Sequence, residues 1–261
     1  MATKYPLVFV HGVMLKDIWR IKAFGKIEDI LKKQGYSVFT SDHDGFGSIE
    51  NNAGQIKAYI EKTLAATGAE RVNIVAHSKG GLDTLYMIDR LGMGDKIASV
   101  TFLSTPHRGS SVAVMLYDLP RIIRGPVVFF INFWYRIFGD KKPDALTVCR
   151  QLRASKEDIV KLENIAAHDG IYMQSFSTTL KRSRDDFVMG IPLMISKHYE
   201  NIPGDGMVSV ESSKYGEYRG DCTDISVSHS EIVGFMVKRK KKDKIYGFYV
   251  SLAEELGQMG F

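Results

Sequence analysis

The amino-acid sequence predicts an α/β fold with a mostly parallel central sheet, helices on both faces and one helical insertion. Three observations predict it. Short continuous apolar runs alternate with stretches of helical periodicity through residues 7–103, and the links between them are short. That alternation stops after Thr105, where an apolar-rich segment with interspersed arginines occupies 110–150. A final amphipathic stretch carries Ile245, Phe248, Tyr249, Leu252 and Leu256 on one helical face.

The elements follow in order. Leu7-Val8-Phe9-Val10 reads as a strand covered on both faces. Phe24, Ile27 and Leu31 mark a helix that Gly35 closes, and 36–39 reads as the second strand. Ala53, Ile56, Ile60 and Leu64 share a face of the next helix, which ends at Gly68. Residues 72–76 form the third strand, Leu82, Leu85, Tyr86 and Leu91 stripe the following helix, and 99–103 form the fourth strand. Beyond the insertion, 155–158 resembles a capping box opening a helix, and strands are expected at 191–195 and 223–227. No internal repeat or low-complexity linker interrupts the chain, so residues 1–261 are expected to form one domain carrying the 110–150 insertion.

Composition narrows the function classes. The chain has 261 residues, 44% hydrophobic and 25% charged, which excludes disordered, collagen-like and coiled-coil proteins. A net charge of +5 over this length gives no electrostatic footprint for a nucleic-acid partner. The run 238–242 supplies much of that charge and reads as a solvated loop before the last helix. Two cysteines, Cys149 and Cys222, allow one bridge or two free thiols. No targeting peptide is visible, which leaves two compartments open: outside the cell, by a removed leader or signal-independent export, or the cytoplasm. The longest apolar run, 126–138, is broken by Asn132 and Arg136 and falls short of the roughly 20 residues that a membrane-spanning helix needs, so no transmembrane anchor is expected.

The chemistry concentrates at Ala76-His77-Ser78-Lys79-Gly80-Gly81, between the third strand and its helix. A serine on so tight a strand-to-helix turn needs small residues at 76 and 80, and the turn exposes its hydroxyl beside a helix N-terminus. Of seven histidines, His229 stands last in the chain, after the expected strand at 223–227, and is the candidate base. His77 adjoins the serine and reads as structural; His11, His43, His107 and His168 precede any suitable acid. Asp205, in a glycine-flanked loop after the expected 191–195 strand, leads as the acid, with Asp221 and Asp224 as rivals. The backbone N–H groups of Val13 and Lys79 are the candidate donors to a developing oxyanion.

These segments resemble the family I bacterial (true) lipases of the α/β-hydrolase fold. Residues 5–12 (YPLVFVHG), 72–81 (VNIVAHSKGG) and 104–110 (STPHRGS) carry the resemblance, followed in order by Asp205-Gly206-Met207-Val208 and the segment around His229. The likeness covers about 4–110 well and 170–235 loosely. It implies Ser78, Asp205 and His229 as nucleophile, acid and base, with the Val13 and Lys79 amides as the oxyanion hole. Leu15 stands where the family often has a glycine. No cofactor is implied for the reaction. A structural calcium beside the catalytic histidine is implied, with Glu231 and either Asp185 or Asp186 as oxygen ligands.

The position of the insertion, between the sheet strands and the acid, suggests a helical lid. Met115, Leu119, Ile123, Phe129, Phe130, Phe133 and Trp134 are expected to meet an acyl chain or a lipid–water interface, with Arg121, Arg124 and Arg136 at its edge. The expected function is a serine ester hydrolase acting on lipid esters, most simply a triacylglycerol lipase. A short-chain carboxylesterase, polyester hydrolase or acyltransferase would use the same three residues, and a non-catalytic lipid- or partner-binding protein would use the insertion alone.

Overall fold

The computed structural model describes residues 2–13, 17, 22–153, 170–199 and 201–261. The helix start expected at 155–158, His168 and Leu15 lie outside the described residues.

Among the described residues six strands form one sheet in the order β2-β1-β3-β4-β5-β6, and every neighbouring pair runs parallel. They are β1 (Leu7–Val10), β2 (Val38–Thr40), β3 (Val72–His77), β4 (Ile97–Leu103), β5 (Tyr172–Ser177) and β6 (Glu217–Asp221). Because successive strand side chains point to opposite faces, the sheet divides its apolar residues into two cores. Leu7, Phe9, Val75 and Leu103 pack beneath α1 (Ile27–Lys33) and the C-terminal helix, Lys242–Gln258. Val8, Val10, Ile74, Val100 and Phe102 face α2 (Ile49–Thr67) and α3 (Lys79–Arg90). Each such fully buried aliphatic or aromatic side chain contributes roughly 1.5–3 kcal/mol. Ser48 caps α2 by accepting from the Asn51 N–H, and Gly68 ends it in the left-handed conformation at φ 70°.

The insertion contributes α4 (Ser111–Asp118), α5 (Arg121–Ile137) and α6 (Ala145–Arg153). Ala113 of α4 and Val148 and Leu152 of α6 join a third apolar cluster with Ile49 and Leu82, so those two helices are fastened to the body. By contrast α5 buries none of its residues. Its C-terminal end is held by a reciprocal clasp. The Asp140 carboxylate accepts from the Gly45 and Phe46 N–H groups at 3.0 and 2.8 Å, while the Asp44 carboxylate accepts from those of Lys141 and Lys142, both at 2.8 Å.

After the insertion, three expectations change. The apolar run 191–195 is helical, inside α7 (Gly190–Tyr199), where Leu193 turns inward while Ile191 and Met194 are exposed. Residues 223–227 form a loop, tied down by the Val227 N–H donating to the Thr179 carbonyl. The strands that follow β4 are instead β5 and β6, neither of which shows an apolar run. A short helix α8 (Val210–Ser213) precedes β6, and Lys242–Gln258 is α9.

Candidate active site

Ser78 sits at the end of β3 and caps α3 with φ 55° and ψ −133°. A non-glycine residue with positive φ carries strain of about 1–3 kcal/mol, and the surroundings explain why the turn holds. A Cβ at Gly80 would lie 2.3 Å from the His11 carbonyl oxygen, and one at Gly81 2.2 Å from Thr105 Oγ1. The obstacle at Gly80 is therefore the backbone of β1's end, not a facing side chain at 76. A Cβ at Gly12 would lie 2.5 Å from that of Ser78. This close approach brings the turn after β1, and with it Val13, against the serine. His43 secures the same turn, with its Nε2 3.0 Å from the His11 carbonyl and its ring stacked 3.9 Å from the His11 ring.

His229 lies in the loop before α9, with Nε2 2.9 Å from Ser78 Oγ and Nδ1 2.8 Å from Asp205 Oδ2. Ionised Asp205 accepts only, so Nδ1 carries the ring proton and Nε2 accepts from the serine hydroxyl. Asp205 is fully buried in the loop between α7 and α8. Burial pushes its carboxyl up, but His229 and the amides of Val208 and Met207 outweigh that and hold it below the usual range. Its Oδ1 accepts from the Met207 and Val208 N–H groups at 3.0 and 2.9 Å, and its Oδ2 also takes the Thr178 hydroxyl at 2.9 Å. The rivals are elsewhere. Asp221 accepts from the Ser177 hydroxyl, and Asp224 pairs with Lys244 at the surface.

One contributor carries no signal in the sequence. Thr178, just past β5, supplies a donor to Asp205, and a lone threonine gives no signal without the fold. His77 was read as structural; it packs its ring 4.4 Å from that of His229. Burial depresses the His77 pKa well below the ordinary histidine value, so it backs the neighbouring imidazole as a neutral ring. His107 is likewise pushed down by burial, to about 3, and stacks on Tyr215.

The Lys79 N–H is at the first turn of α3, and Val13 lines the cavity next to Ser78. The Lys79 side chain points the other way. Its ammonium is buried and donates to Asp83 Oδ1 at 2.6 Å, while Asn52 donates to Asp83 Oδ2 at 3.1 Å. Burial pushes the Asp83 carboxyl up to about 6 against the pull of Lys79.

Ser78 and His229 open into a cavity of about 340 Å³. Its walls include Val112, Ala113 and Leu116 of α4, Tyr135 of α5, and Val148 and Leu152 of α6. None of the seven insertion residues picked from sequence lines it. Met115 and Leu119 are half-buried, while Ile123, Phe129, Phe130, Phe133 and Trp134 face solvent along α5. Val188 and Met189 also line the cavity, and the preceding Phe187 is 98% exposed.

The acidic residues assigned to calcium do not fit that ion. Glu231 Oε2 lies 2.5 Å from Lys241 Nζ and accepts from the Ser228 N–H at 3.1 Å. Asp186 accepts from the Ser228 hydroxyl at 2.5 Å and from the Val188 and Met189 N–H groups. Asp185 pairs with Arg182 at 3.4 Å and takes the Ser226 hydroxyl. Calcium requires six or more oxygens, whereas here an ammonium already meets the charge. Lys241 is 6% exposed, which corrects the expectation that all of 238–242 is solvated. Cys149, in the cavity wall, and Cys222, in the α1–α9 core, are both free thiols.

Comparison with known proteins places this geometry in context. The family model for the alpha/beta hydrolase fold matches residues 5–158. The chain is 37% identical over 123 residues to a triacylglycerol lipase of Pseudarthrobacter phenanthrenivorans, covering 45% of this chain but only 38% of that protein. It is 26% identical to triacylglycerol lipase 2 of Saccharomyces cerevisiae over 90% of this chain and 73% of the yeast protein. The solved structure of lipase 1 from Pelosinus fermentans superimposes with a TM-score of 0.70 at 18% identity, covering 99% of both chains.

Proposed function

The chain belongs to the alpha/beta hydrolase fold family, and on that premise we propose that it is a serine ester hydrolase, a triacylglycerol lipase working through an acyl-enzyme. The observation that carries this is the unbroken relay Ser78 Oγ, His229, Asp205 at 2.9 and 2.8 Å, opening into an apolar cavity. Ser78 attacks the ester carbonyl while His229 Nε2 takes its proton, and Asp205 stabilises the imidazolium. The N–H groups of Lys79 and Val13 receive the oxyanion. His229 then protonates the leaving alcohol, and water repeats the sequence to free the acid. In this reading the ordered motifs place it with the bacterial family I enzymes, and the match to the Pseudarthrobacter triacylglycerol lipase supports the lipase assignment.

Lipid is favoured over small soluble esters by the rim. Ile122, Phe129, Phe130 and Ile137 on α5 are each more than half exposed, as are Phe187 and Met236, the chain neighbours of the cavity-lining Val188 and Phe235. Such a surface is suited to a lipid–water interface. In this reading α5 acts as the lid, and among the described residues no helix is long and apolar enough to cross the bilayer. Hydrolysis rates across p-nitrophenyl esters of increasing chain length, with Ser78→Ala as control, test it. The maximum is expected at long chains. A steep fall beyond short chains would assign a carboxylesterase, and equal rates for Ser78→Ala would end the serine mechanism.

A further inference from the structure

His229 is two residues before Glu231, one partner of a buried ion pair that the relay does not use. Lys241 precedes α9 and Glu231 follows His229 in the chain, and the two are 6% and 1% exposed. Glu231 is the hub of a small loop. Its Oε2 takes the Lys241 ammonium at 2.5 Å and the Ser228 N–H at 3.1 Å, and its own N–H donates to Ser228 Oγ at 3.3 Å. The Ser228 hydroxyl in turn donates to Asp186, whose other oxygen takes two backbone N–H groups next to the cavity rim. Residues 228 and 231 therefore hold the turn on which His229 rides, and two carboxylates converge on it.

We propose that Lys241 is a tethered cation that positions the catalytic base, in place of a divalent metal ion. Glu231 and Asp186 are both buried and both bonded to Ser228, the residue before His229, and keeping two such carboxylates ionised is costly unless a positive charge lies close by. Lys241 provides that charge from the residue before α9, a helix fixed in the sheet's core through Ile245 and Tyr249. The Tyr249 hydroxyl also donates to the Ile232 carbonyl at 3.0 Å, so the same helix grips the loop twice. A covalently attached ammonium cannot be removed by chelation or dilution. The alignment of His229 with Ser78 is then independent of divalent cations. This inference rests on His229 being the base.

The experiment compares wild type, Lys241→Met and the double variant Lys241→Met/Glu231→Gln. Lys241→Met strands the Glu231 charge, and kcat on a soluble p-nitrophenyl ester is expected to fall about 30-fold with KM within about 2-fold, since a misplaced base slows chemistry and leaves binding alone. Neutralising Glu231 in the double variant is expected to bring kcat back to within about 5-fold of wild type. The downfield proton resonance of His229 Nδ1–H should broaden or vanish in Lys241→Met and return in the double variant, a readout that needs no substrate. Wild-type rates should be unchanged by EGTA or added calcium. The proposal is overturned by unchanged kcat in Lys241→Met, by failure of the double variant to recover, or by EGTA inhibition that calcium reverses. Should Lys241→Met not accumulate as folded protein, the chelation arm and the kcat of Lys241→Arg, expected within about 3-fold of wild type, decide the matter. A wild type that hydrolyses no ester and takes no fluorophosphonate at Ser78 would defeat the hydrolase reading instead, while the resonance would still test Lys241.

Discussion

Asp205→Asn probes the relay most directly, because the substitution keeps shape and changes charge and proton placement. The Met207 and Val208 N–H groups both donate to Oδ1, which fixes that position as the amide oxygen of the asparagine. The amide nitrogen is then forced into the Oδ2 position, 2.8 Å from His229 Nδ1. A donor there turns the imidazole to the tautomer with its proton on Nε2, which cannot take the Ser78 proton. The electrostatic loss adds to this. At about 4 Å between charge centres and an effective dielectric near 20, attraction between carboxylate and imidazolium is roughly 4 kcal/mol. Since 1.36 kcal/mol is tenfold in rate, that alone is worth about 10³. The expected fall in kcat is about 10³ to 10⁴, with KM within about 3-fold because Asp205 is buried away from the cavity wall. Steady-state hydrolysis of a soluble p-nitrophenyl ester at pH 8, with Ser78→Ala as background, measures it. A loss under about tenfold, or one seated in KM, would refute the relay.

Other consequences are open to measurement. Lys79→Met leaves Asp83 buried without its partner and should lower stability by about 3–5 kcal/mol, while kcat of the surviving folded fraction stays within about 3-fold; a large kcat loss at unchanged melting temperature would mean that the side chain, not just its N–H, takes part. Gly80→Ala, with its Cβ 2.3 Å from the His11 carbonyl, should abolish fluorophosphonate labelling or folding, and a fully active variant would show that the turn is looser than described. The depressed Asp205 carboxyl makes stability pH-dependent: its contribution is full above the unfolded value near 3.8 and is lost as pH falls through its lower folded value. Melting curves between pH 7 and 2 should therefore fall less steeply for Asp205→Asn, and parallel curves would count against that charge. Replacing Phe129, Phe130 and Phe133 together by serine should reduce hydrolysis of emulsified long-chain esters about tenfold and spare soluble ones; equal loss on both would remove α5 from interfacial contact.

The parts of the molecule legible in sequence are those where one physical demand dominates. β1, β3 and β4 are covered on both faces and show as unbroken apolar runs. The turn at Ser78 shows in its small flanking residues, and Asp205 and His229 stand out only because the α/β-hydrolase fold places acid and then base after the serine. β5 was hidden because its buried positions include Gln174, Ser175 and Ser177, which are satisfied sideways; Gln174 donates to Thr101 Oγ1 at 3.0 Å and Ser177 bonds Tyr218. The run at 191–195 misled for the opposite reason, since five apolar residues suit a strand or a half-exposed helix equally. In the insertion, apolar content marked the segment but not its orientation. Large aromatic residues drew attention, whereas Val112, Ala113 and Leu116 on the neighbouring helix make the wall. Lys241 was obscured by its basic neighbours, because burial of one lysine in a run of five is decided by a carboxylate ten residues upstream.

The backbone at Ser78 sets heat tolerance and turnover against each other at a single position. With φ at 55°, the residue that must offer its hydroxyl is also held in a shape that side-chain-bearing residues resist. A glycine there would relax the chain and silence it. In the proposed mechanism, any stability gained by relaxing residue 78 is therefore lost from turnover.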